Sequence, residues 1–220
     1  GFFELNKLPK KVAIVGSGYI ALELAGVLNS LGASVDLIIR RNRVLSSFDK
    51  VLSDNVIQQY QKAGINIIFH SNVTNIIPTE GKTIPSDQFV SDKDKALSDH
   101  KFTLKIETKE DNDKTVESEI VNIDKVIIAT GRHADTSNLN LKSTGVELNK
   151  DGSVKVDEYQ VTSVPNIYAV GDIIGHSMLT PVAIAASRRL SDRVFGGMKG
   201  RKLDYTNVPS VIFTHPPCGS

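Results

Sequence analysis

Short apolar runs and stretches of helical period alternate between residues 12 and 69. Val12–Val15, Val35–Ile39 and Ile65–Phe69 are apolar runs of a length and composition that predict strands. The segments 20–31 and 50–63 lie between them and place apolar residues three or four positions apart, which predicts helices. Strands that alternate with helices in this way predict an α/β fold with a parallel sheet.

Each predicted helix has one apolar face and a glycine after its last turn. Gly32 and Gly64 follow the two helical patterns and predict where the helices end. The positions that form the two apolar faces are Ile20, Leu24, Val27, Leu28 and Leu31 in the first helix and Leu52, Val56, Ile57 and Tyr60 in the second.

The pattern changes in the middle of the chain. Thr79–His100 is polar and has no period, which predicts a surface insertion. Phe102–Thr108 and Val116–Ile120 alternate as strands do and predict a small antiparallel meander. Asn122–Thr130 is mainly apolar and predicts a further buried, parallel strand.

The last third of the chain has a different composition. Residues 135–150 are rich in Asn, Ser, Thr and Leu, which predicts a crossing between domains. Thr162–Asp172 resembles a strand that ends in Gly-Asp, and Met178–Phe195 is a predicted helix with proline near its first turn. Val208–Thr214 is a final strand-like run.

Composition excludes some partners and leaves others open. The 220 residues are 40% hydrophobic with a formal net charge of +1, so we expect a soluble, globular protein with no nucleic-acid or membrane partner. Cys218 is the one cysteine, which fits a reducing compartment such as the cytoplasm or the mitochondrion. Because the chain begins at Gly1 and ends soon after an apolar run, we expect a fragment of a longer protein.

A glycine turn joins the first strand to the first helix. Gly16 and Gly18 are two residues apart, and Ala21 follows three later. Such a turn points backbone N–H groups and the positive end of the helix dipole at a phosphate. The strand before it and the helix after it favour a dinucleotide site over a purely structural turn.

The end of the second strand indicates which dinucleotide binds. A carboxylate there accepts hydrogen bonds from a ribose 2′-hydroxyl, whereas arginines match a 2′-phosphate. Arg40 and Arg41 stand at this end, and Asp36 competes for the role but lies in mid-strand. The sequence therefore favours NADP over NAD; the alternative is that both arginines belong to a solvated turn.

A second cofactor motif follows in the last third of the chain. Asp172 comes after Gly171 at the predicted strand end and suits a ribityl or ribose hydroxyl, and the helix from Thr180 offers its dipole to a phosphate. An Asx turn is the alternative for Asp172 alone. His215 is interpreted as a turn residue, and the other four histidines have no metal-ligand spacing, so no metal site is predicted.

Six segments carry a pattern that extends over nearly the whole chain. They are Gly16–Gly26, Arg40–Asp49, Ala129–Arg132, Asn166–Asp172, Leu179–Ala186 and Phe213–Pro217. Together they resemble the flavin disulfide reductases, the class I pyridine nucleotide-disulfide oxidoreductases, and most closely the glutathione reductase branch. The resemblance implies a Rossmann-like NADP-binding domain at 1–134, part of an FAD-binding domain at 135–205 and the start of a dimer-interface domain at 206–220.

The resemblance also implies site residues and partners. Glutathione disulfide is the implied substrate, and a homodimer is implied for the full-length protein. Tyr19 is the implied ring that covers the flavin until NADPH displaces it. The implied contacts of NADP(H) are Gly16, Ser17, Gly18, Tyr19, Ile20, Glu23, Arg40, Arg41, Gly131, Met178 and Val211, and those of FAD are Asp172, Leu179 and Thr180.

The sequence departs from the family pattern in two ways. Ser46 stands where such reductases usually have a second phosphate-binding arginine, and Arg41 and Arg43 are the candidates to replace it. The family's redox cysteine pair and acid–base histidine are not in this sequence, and Cys218 is assigned a structural role. We therefore expect no turnover of glutathione disulfide by these 220 residues alone.

Three alternatives stay open at this point. A high-molecular-weight thioredoxin reductase shares most of the motifs and differs in a C-terminal redox pair. A dihydrolipoamide dehydrogenase would have an acidic residue in place of Arg40. A nucleotide-binding module without a catalytic role would bind NADPH and do nothing more.

Overall fold

The computed structural model describes residues 2–79, 84–85, 101–110 and 114–219. The chain divides into two compact units, one of Gly1–Gly131 with Ser210–Ser220 and the other of Arg132–Pro209. In chain order the elements are β1 (Lys11–Val15), α1 (Tyr19–Ser30), β2 (Ser34–Ile38), α2 (Lys50–Lys62), β3 (Asn66–Ile68), β4 (Ser71–Pro78), β5 (Ile84–Pro85), β6 (Phe102–Lys109), β7 (Thr115–Ile123), β8 (Lys125–Ile128), α3 (Thr180–Val194), β9 (Val211–Ile212) and β10 (Cys218–Gly219).

A parallel sheet in the order β3-β2-β1-β8 forms the centre of the first unit. Val12 pairs with Val35 on one side and with Lys125 on the other, so that β1 is covered by a strand at each edge. The predicted strand–helix alternation and the α/β fold are confirmed. Because all four strands are parallel, their carboxyl ends lie at one edge of the sheet.

The predicted apolar face of α1 is largely wrong. Its buried residues are mainly small: Ala21, Leu22, Ala25, Gly26 and Leu28. Of the predicted positions only Leu28 is buried, and Leu31 is 62% exposed. The reason is close packing, because a Cβ on Gly26 would come within 2.9 Å of the Tyr60 hydroxyl of α2. The hydroxyl of Tyr60 donates to the Leu22 carbonyl at 2.7 Å, which joins the two helices.

An antiparallel sheet in the order β5-β4-β6-β7 packs on the other face of the parallel sheet. The predicted meander of β6 and β7 is confirmed, whereas β4 was missed by the sequence reasoning. Most of the predicted insertion Thr79–His100 lies outside the described residues; Ile84–Pro85 pairs with β4. The shared core is formed by Ala13, Ile38, Ile76, Phe102, Leu104, Ile106 and Ile123.

The predicted strand Asn122–Thr130 is two strands in the structure. Asn122 has a φ of 59° near the end of β7, and Asp124 separates β7 from β8. Asp124 accepts hydrogen bonds from the backbone N–H groups of Lys10 and Lys11 at 2.9 and 2.8 Å. The chain turns here, and β8 is half-buried rather than buried because it is an edge strand.

The second unit contains α3 and a set of tight turns. α3 agrees with the predicted helix, and Pro181 lies in its first turn. The predicted strand Thr162–Asp172 is wrong: the segment makes isolated bridges, turns at Asn166 with a φ of 67°, and ends in a 3₁₀ turn over Gly171–Ile174. Val208–Thr214, in the first unit from Ser210 on, is regular only in β9, which pairs with β10.

Candidate nucleotide-binding site

The glycine turn between β1 and α1 has the geometry that the sequence predicted. Gly16 has a φ of +140°, and its N–H donates to the Ile38 carbonyl of β2 at 3.0 Å. A Cβ at this position would lie 2.2 Å from the Ala129 carbonyl oxygen, just after β8. Only glycine therefore lets the ends of β1, β2 and β8 approach one another at this edge.

The amino end of α1 is open to a ligand. Gly18 is the N-cap residue in extended conformation, and within the described part of the chain no side chain caps the first-turn N–H groups. A Cβ added to Gly18 would meet no atom of the described residues within 4 Å, so there is open space beside the turn. An uncapped helix start beside such a space fits a phosphate group, which accepts hydrogen bonds and is favoured by the helix dipole.

The side chains that follow the turn are half-buried. Ser17, Tyr19 and Ile20 are all partly exposed, and Tyr19 packs against the core of the first unit. Glu23, one turn further along α1, accepts a hydrogen bond from the Phe213 N–H at 3.0 Å. This contact joins α1 to the segment of Val211, whose side chain is 57% exposed in β9. The structure thus brings Glu23 and Val211 to neighbouring elements of one unit.

The end of β2 presents positive charge in its two arginines. Arg40 and Arg41 are exposed, and among the described residues neither side chain has a partner. Asp36 is only 6% exposed, so its carboxylate is buried. It accepts from the Asn66 amide at 2.7 Å and lies 3.5 Å from the Lys11 ammonium. Asp36 is therefore held inside the sheet and does not reach its carboxyl edge.

The loop after Arg41 is fastened to the glycine turn. The Leu45 N–H donates to the Ser17 carbonyl at 2.8 Å, and Leu45 itself has a φ of 49°. Arg43 donates from its guanidinium to the Phe48 carbonyl, whereas Ser46 is exposed. Of the two arginines proposed to replace the arginine missing at Ser46, Arg43 is thus already engaged within the loop.

Gly131 lies at the same edge of the sheet, beyond the end of β8. The Ala129 N–H donates to the Val15 carbonyl at 2.8 Å, which holds this strand end beside the end of β1. Gly131 has a φ of +150° and is exposed, and a Cβ there would meet no atom within 4 Å. The predicted nucleotide residues of the first unit, from Gly16 to Gly131, therefore share one edge.

The other predicted residues belong to the second unit. Asp172 lies in the 3₁₀ turn and forms an ion pair with Arg132 at 3.0 Å. Its carboxylate is 47% exposed, so this pair leaves part of it open to a hydroxyl ligand. Met178 and Leu179 are half-buried just before α3, where Leu179 is an N-cap without a capping side chain. Thr180 begins the helix and is exposed, and the first turn of α3 offers fewer N–H groups than that of α1 because Pro181 has none.

Sequence reasoning missed the anchors of this site. The contacts of Asp36 with Asn66, of Leu45 with Ser17 and of Glu23 with Phe213 join residues from 28 to 190 positions apart. No local pattern indicates them. Within the described ranges no group of three or more His, Cys, Asp or Glu residues could hold a metal ion, and no helix is long and apolar enough to cross a membrane.

Residues 1–187 match the family model of the pyridine nucleotide-disulphide oxidoreductases. The chain belongs to this family. It is 40% identical over all 220 residues to a glutathione reductase from Schizosaccharomyces pombe, of which it covers 42%. The chain therefore spans less than half the length of this relative.

Two solved structures have a similar fold. The Cu(II) complex of the HOCl-induced flavoprotein disulfide reductase RclA from Escherichia coli matches with a TM-score of 0.80 and 25% identity, over the whole chain and 43% of that protein. A second structure of RclA matches with a TM-score of 0.79, at 24% identity and over 44% of its chain. The Rossmann-like fold expected from the resemblance is confirmed.

Proposed function

We propose that this chain provides the NADPH site and part of the FAD site of a flavoprotein disulfide reductase that acts on glutathione disulfide. Family membership and the glutathione reductase relative support the reaction class and the substrate. A homodimeric full-length protein in the cytoplasm or the mitochondrion rests only on the family resemblance and the single cysteine.

One observation carries the preference for NADPH over NADH. Arg40 and Arg41 are exposed at the carboxyl end of β2, and Asp36 is held inside the sheet by Asn66 and Lys11. A 2′-phosphate has nearly two negative charges, which arginines bind through charge-assisted hydrogen bonds. An NADH site would instead place a carboxylate at this edge.

The chain's residues bind and orient the nucleotides. Bound nicotinamide and flavin would supply the hydride and electron chemistry that disulfide reduction requires. The open amino end of α1, with Gly16, Ser17 and Gly18, suits the pyrophosphate. We assign Tyr19, Ile20, Glu23, Gly131, Met178 and Val211 to the nicotinamide side, and Asp172, Leu179 and Thr180 to FAD.

Calorimetric titration of the 220-residue chain with 2′,5′-ADP and with ADP tests the proposal. We expect 2′,5′-ADP to bind more tightly, and Arg40→Met to weaken its binding about 10- to 100-fold while ADP binding changes little. Arg188→Met is the matched control, because it removes the same exposed charge from α3 of the other unit. Equal affinity of the unmodified chain for the two nucleotides would contradict the proposal.

A further inference from the structure

The loop after β2 contains three arginines and a serine whose side chains differ in exposure and in hydrogen bonding. Arg40, Arg41 and Ser46 are exposed. Arg43 is half-buried: its guanidinium donates to the Phe48 carbonyl, and its Nε is buried without an acceptor among the described residues. A guanidinium held in this way is not free to turn toward a ligand.

The bond from Arg43 to Phe48 closes the loop on itself. Between these residues Val44 and Leu45 are buried, with exposed fractions of 0% and 3%. The Val44 carbonyl accepts from the Ser53 hydroxyl at 2.7 Å, and the Phe48 N–H donates to the Leu45 carbonyl at 2.9 Å. The closed segment Arg43–Phe48 is thus attached to α2 on one side and, through Leu45, to the glycine turn on the other.

Arg40 and Arg41 lie between this closed segment and the sheet. On the sheet side, the Ile39 N–H donates to the Ile68 carbonyl at 2.9 Å and the Arg41 carbonyl accepts from the His70 N–H at 3.3 Å. On the loop side, only Asn42 separates Arg41 from the closed segment. The backbone direction of both exposed arginines is therefore fixed at both ends.

We propose that Arg43 is a positioning residue for the 2′-phosphate: its bond to the Phe48 carbonyl holds the loop so that Arg40 and Arg41 face the nucleotide. This inference rests on the proposed function, since it concerns the same subsite. It assigns the phosphate contacts to the two exposed arginines and none to Arg43.

Binding of 2′,5′-ADP and of ADP to Arg43→Met and to the unmodified chain tests the inference. We expect Arg43→Met to weaken 2′,5′-ADP binding about tenfold, which is the effect of one charge-assisted hydrogen bond. The same change is expected to weaken ADP binding less than about twofold. A purely structural role would weaken both nucleotides equally and would overturn the inference. Arg43→Lys, which keeps a donor for the Phe48 carbonyl, is expected to recover most of the affinity and guards against a folding defect in Arg43→Met.

A second measurement tells whether Arg43 acts by positioning Arg40 and Arg41, or by contacting or attracting the 2′-phosphate itself. In a chain that already carries Arg40→Met and Arg41→Met, the further change Arg43→Met is expected to have no effect on 2′,5′-ADP, since Arg43 acts through the two arginines. An undiminished tenfold effect there means direct contact and overturns the inference. Long-range attraction by the Arg43 charge would also persist in that chain, because it does not act through Arg40 or Arg41, and it would overturn the inference in the same way.

Failure of the inference and failure of the proposed function give different results. If the unmodified chain binds 2′,5′-ADP no better than ADP, the NADPH site itself is wrong and the inference falls with it. If the unmodified chain prefers 2′,5′-ADP and Arg43→Met does not change that preference, only the role of Arg43 is wrong.

Discussion

Gly16 and Gly18 stand two residues apart in one turn, and their surroundings differ. Gly16 has a φ of +140°, and a Cβ there would be 2.2 Å from a backbone oxygen. Gly18 is in extended conformation, and a Cβ there would meet no protein atom. Gly16 is needed for the fold, and Gly18 leaves open the space that we propose for the nucleotide.

Alanine at each position is expected to separate these two roles. Gly16→Ala should lower the free energy of unfolding by at least about 2 kcal/mol, because the methyl group clashes with Ala129 and the backbone is strained. Gly18→Ala should cost less than about 1 kcal/mol of stability but weaken ADP binding, since the methyl group enters the phosphate space. Urea unfolding and calorimetric titration measure the two effects. The assignment fails if Gly18→Ala is the more destabilising variant or leaves ADP binding unchanged.

Residue by residue, the sequence predicts what is local in this site and not what is distant. The glycine turn and the two arginines at the strand end follow from spacing alone. That Asp36 is buried depends on Asn66 and Lys11, which the sheet brings to it. Its mid-strand position is the one local feature that sets it apart from the strand end.

Among the elements, the junction of β7 and β8 depends on a single carboxylate. Asp124 accepts from the backbone N–H groups of Lys10 and Lys11 and from the Lys101 ammonium at 2.7 Å. It therefore ties the start of β1 to the turn before β8 and to the residue before β6. Desolvation raises the pKa of Asp124, but the hydrogen bonds from Lys101 and from the two N–H groups outweigh it and hold the pKa below its usual value of 3.8.

Replacing this carboxylate is expected to loosen the sheet in a pH-dependent way. Asp124→Asn should lower the free energy of unfolding by about 1.5–3 kcal/mol at pH 7, because a neutral amide accepts fewer and weaker hydrogen bonds. A lowered pKa gives stability that is present above pH 3.8 and is lost as the pH falls through the folded-state pKa. The difference between the two chains should therefore shrink below about pH 4. Urea unfolding from pH 7 down to pH 3 measures it, and a constant difference over that range contradicts the assignment.

Element prediction succeeded where the period was strong and failed where tertiary contacts decide. Both Rossmann-type helices and the first three strands follow from short-range patterns. β4 was missed because its sequence mixes Asn and Thr with isoleucines and ends in Pro78, and its partner β6 comes more than twenty residues later. The face of α1 was misjudged because large side chains dominate a periodicity, whereas close packing against Tyr60 selects small ones.

At the scale of the whole molecule, the fold class can be predicted from the sequence because the local pattern of strands and helices indicates the sheet topology. Strand–helix alternation favours a parallel sheet, and a parallel sheet places all carboxyl ends at one edge. The predicted nucleotide residues that follow these strand ends in the first unit therefore lie at that edge. The proposed reduction of a disulfide does not follow from the fold class. It requires two cysteines that can pair, and this chain of 220 residues has one.

The 220-residue chain is accordingly expected to bind NADPH without reducing glutathione disulfide. A single thiol cannot form the intramolecular disulfide through which electrons would reach a disulfide substrate, however well the nucleotide is held. The absorbance of NADPH is followed with FAD and glutathione disulfide present. Calorimetry on the same sample verifies that the nucleotide binds. Cys218→Ser is the matched control and should behave like the unmodified chain. If NADPH is oxidised only when glutathione disulfide is present, and this oxidation disappears in Cys218→Ser, the structural role of this cysteine is contradicted. If the oxidation persists in Cys218→Ser, the reaction needs no redox disulfide in this chain, and the expectation above is wrong.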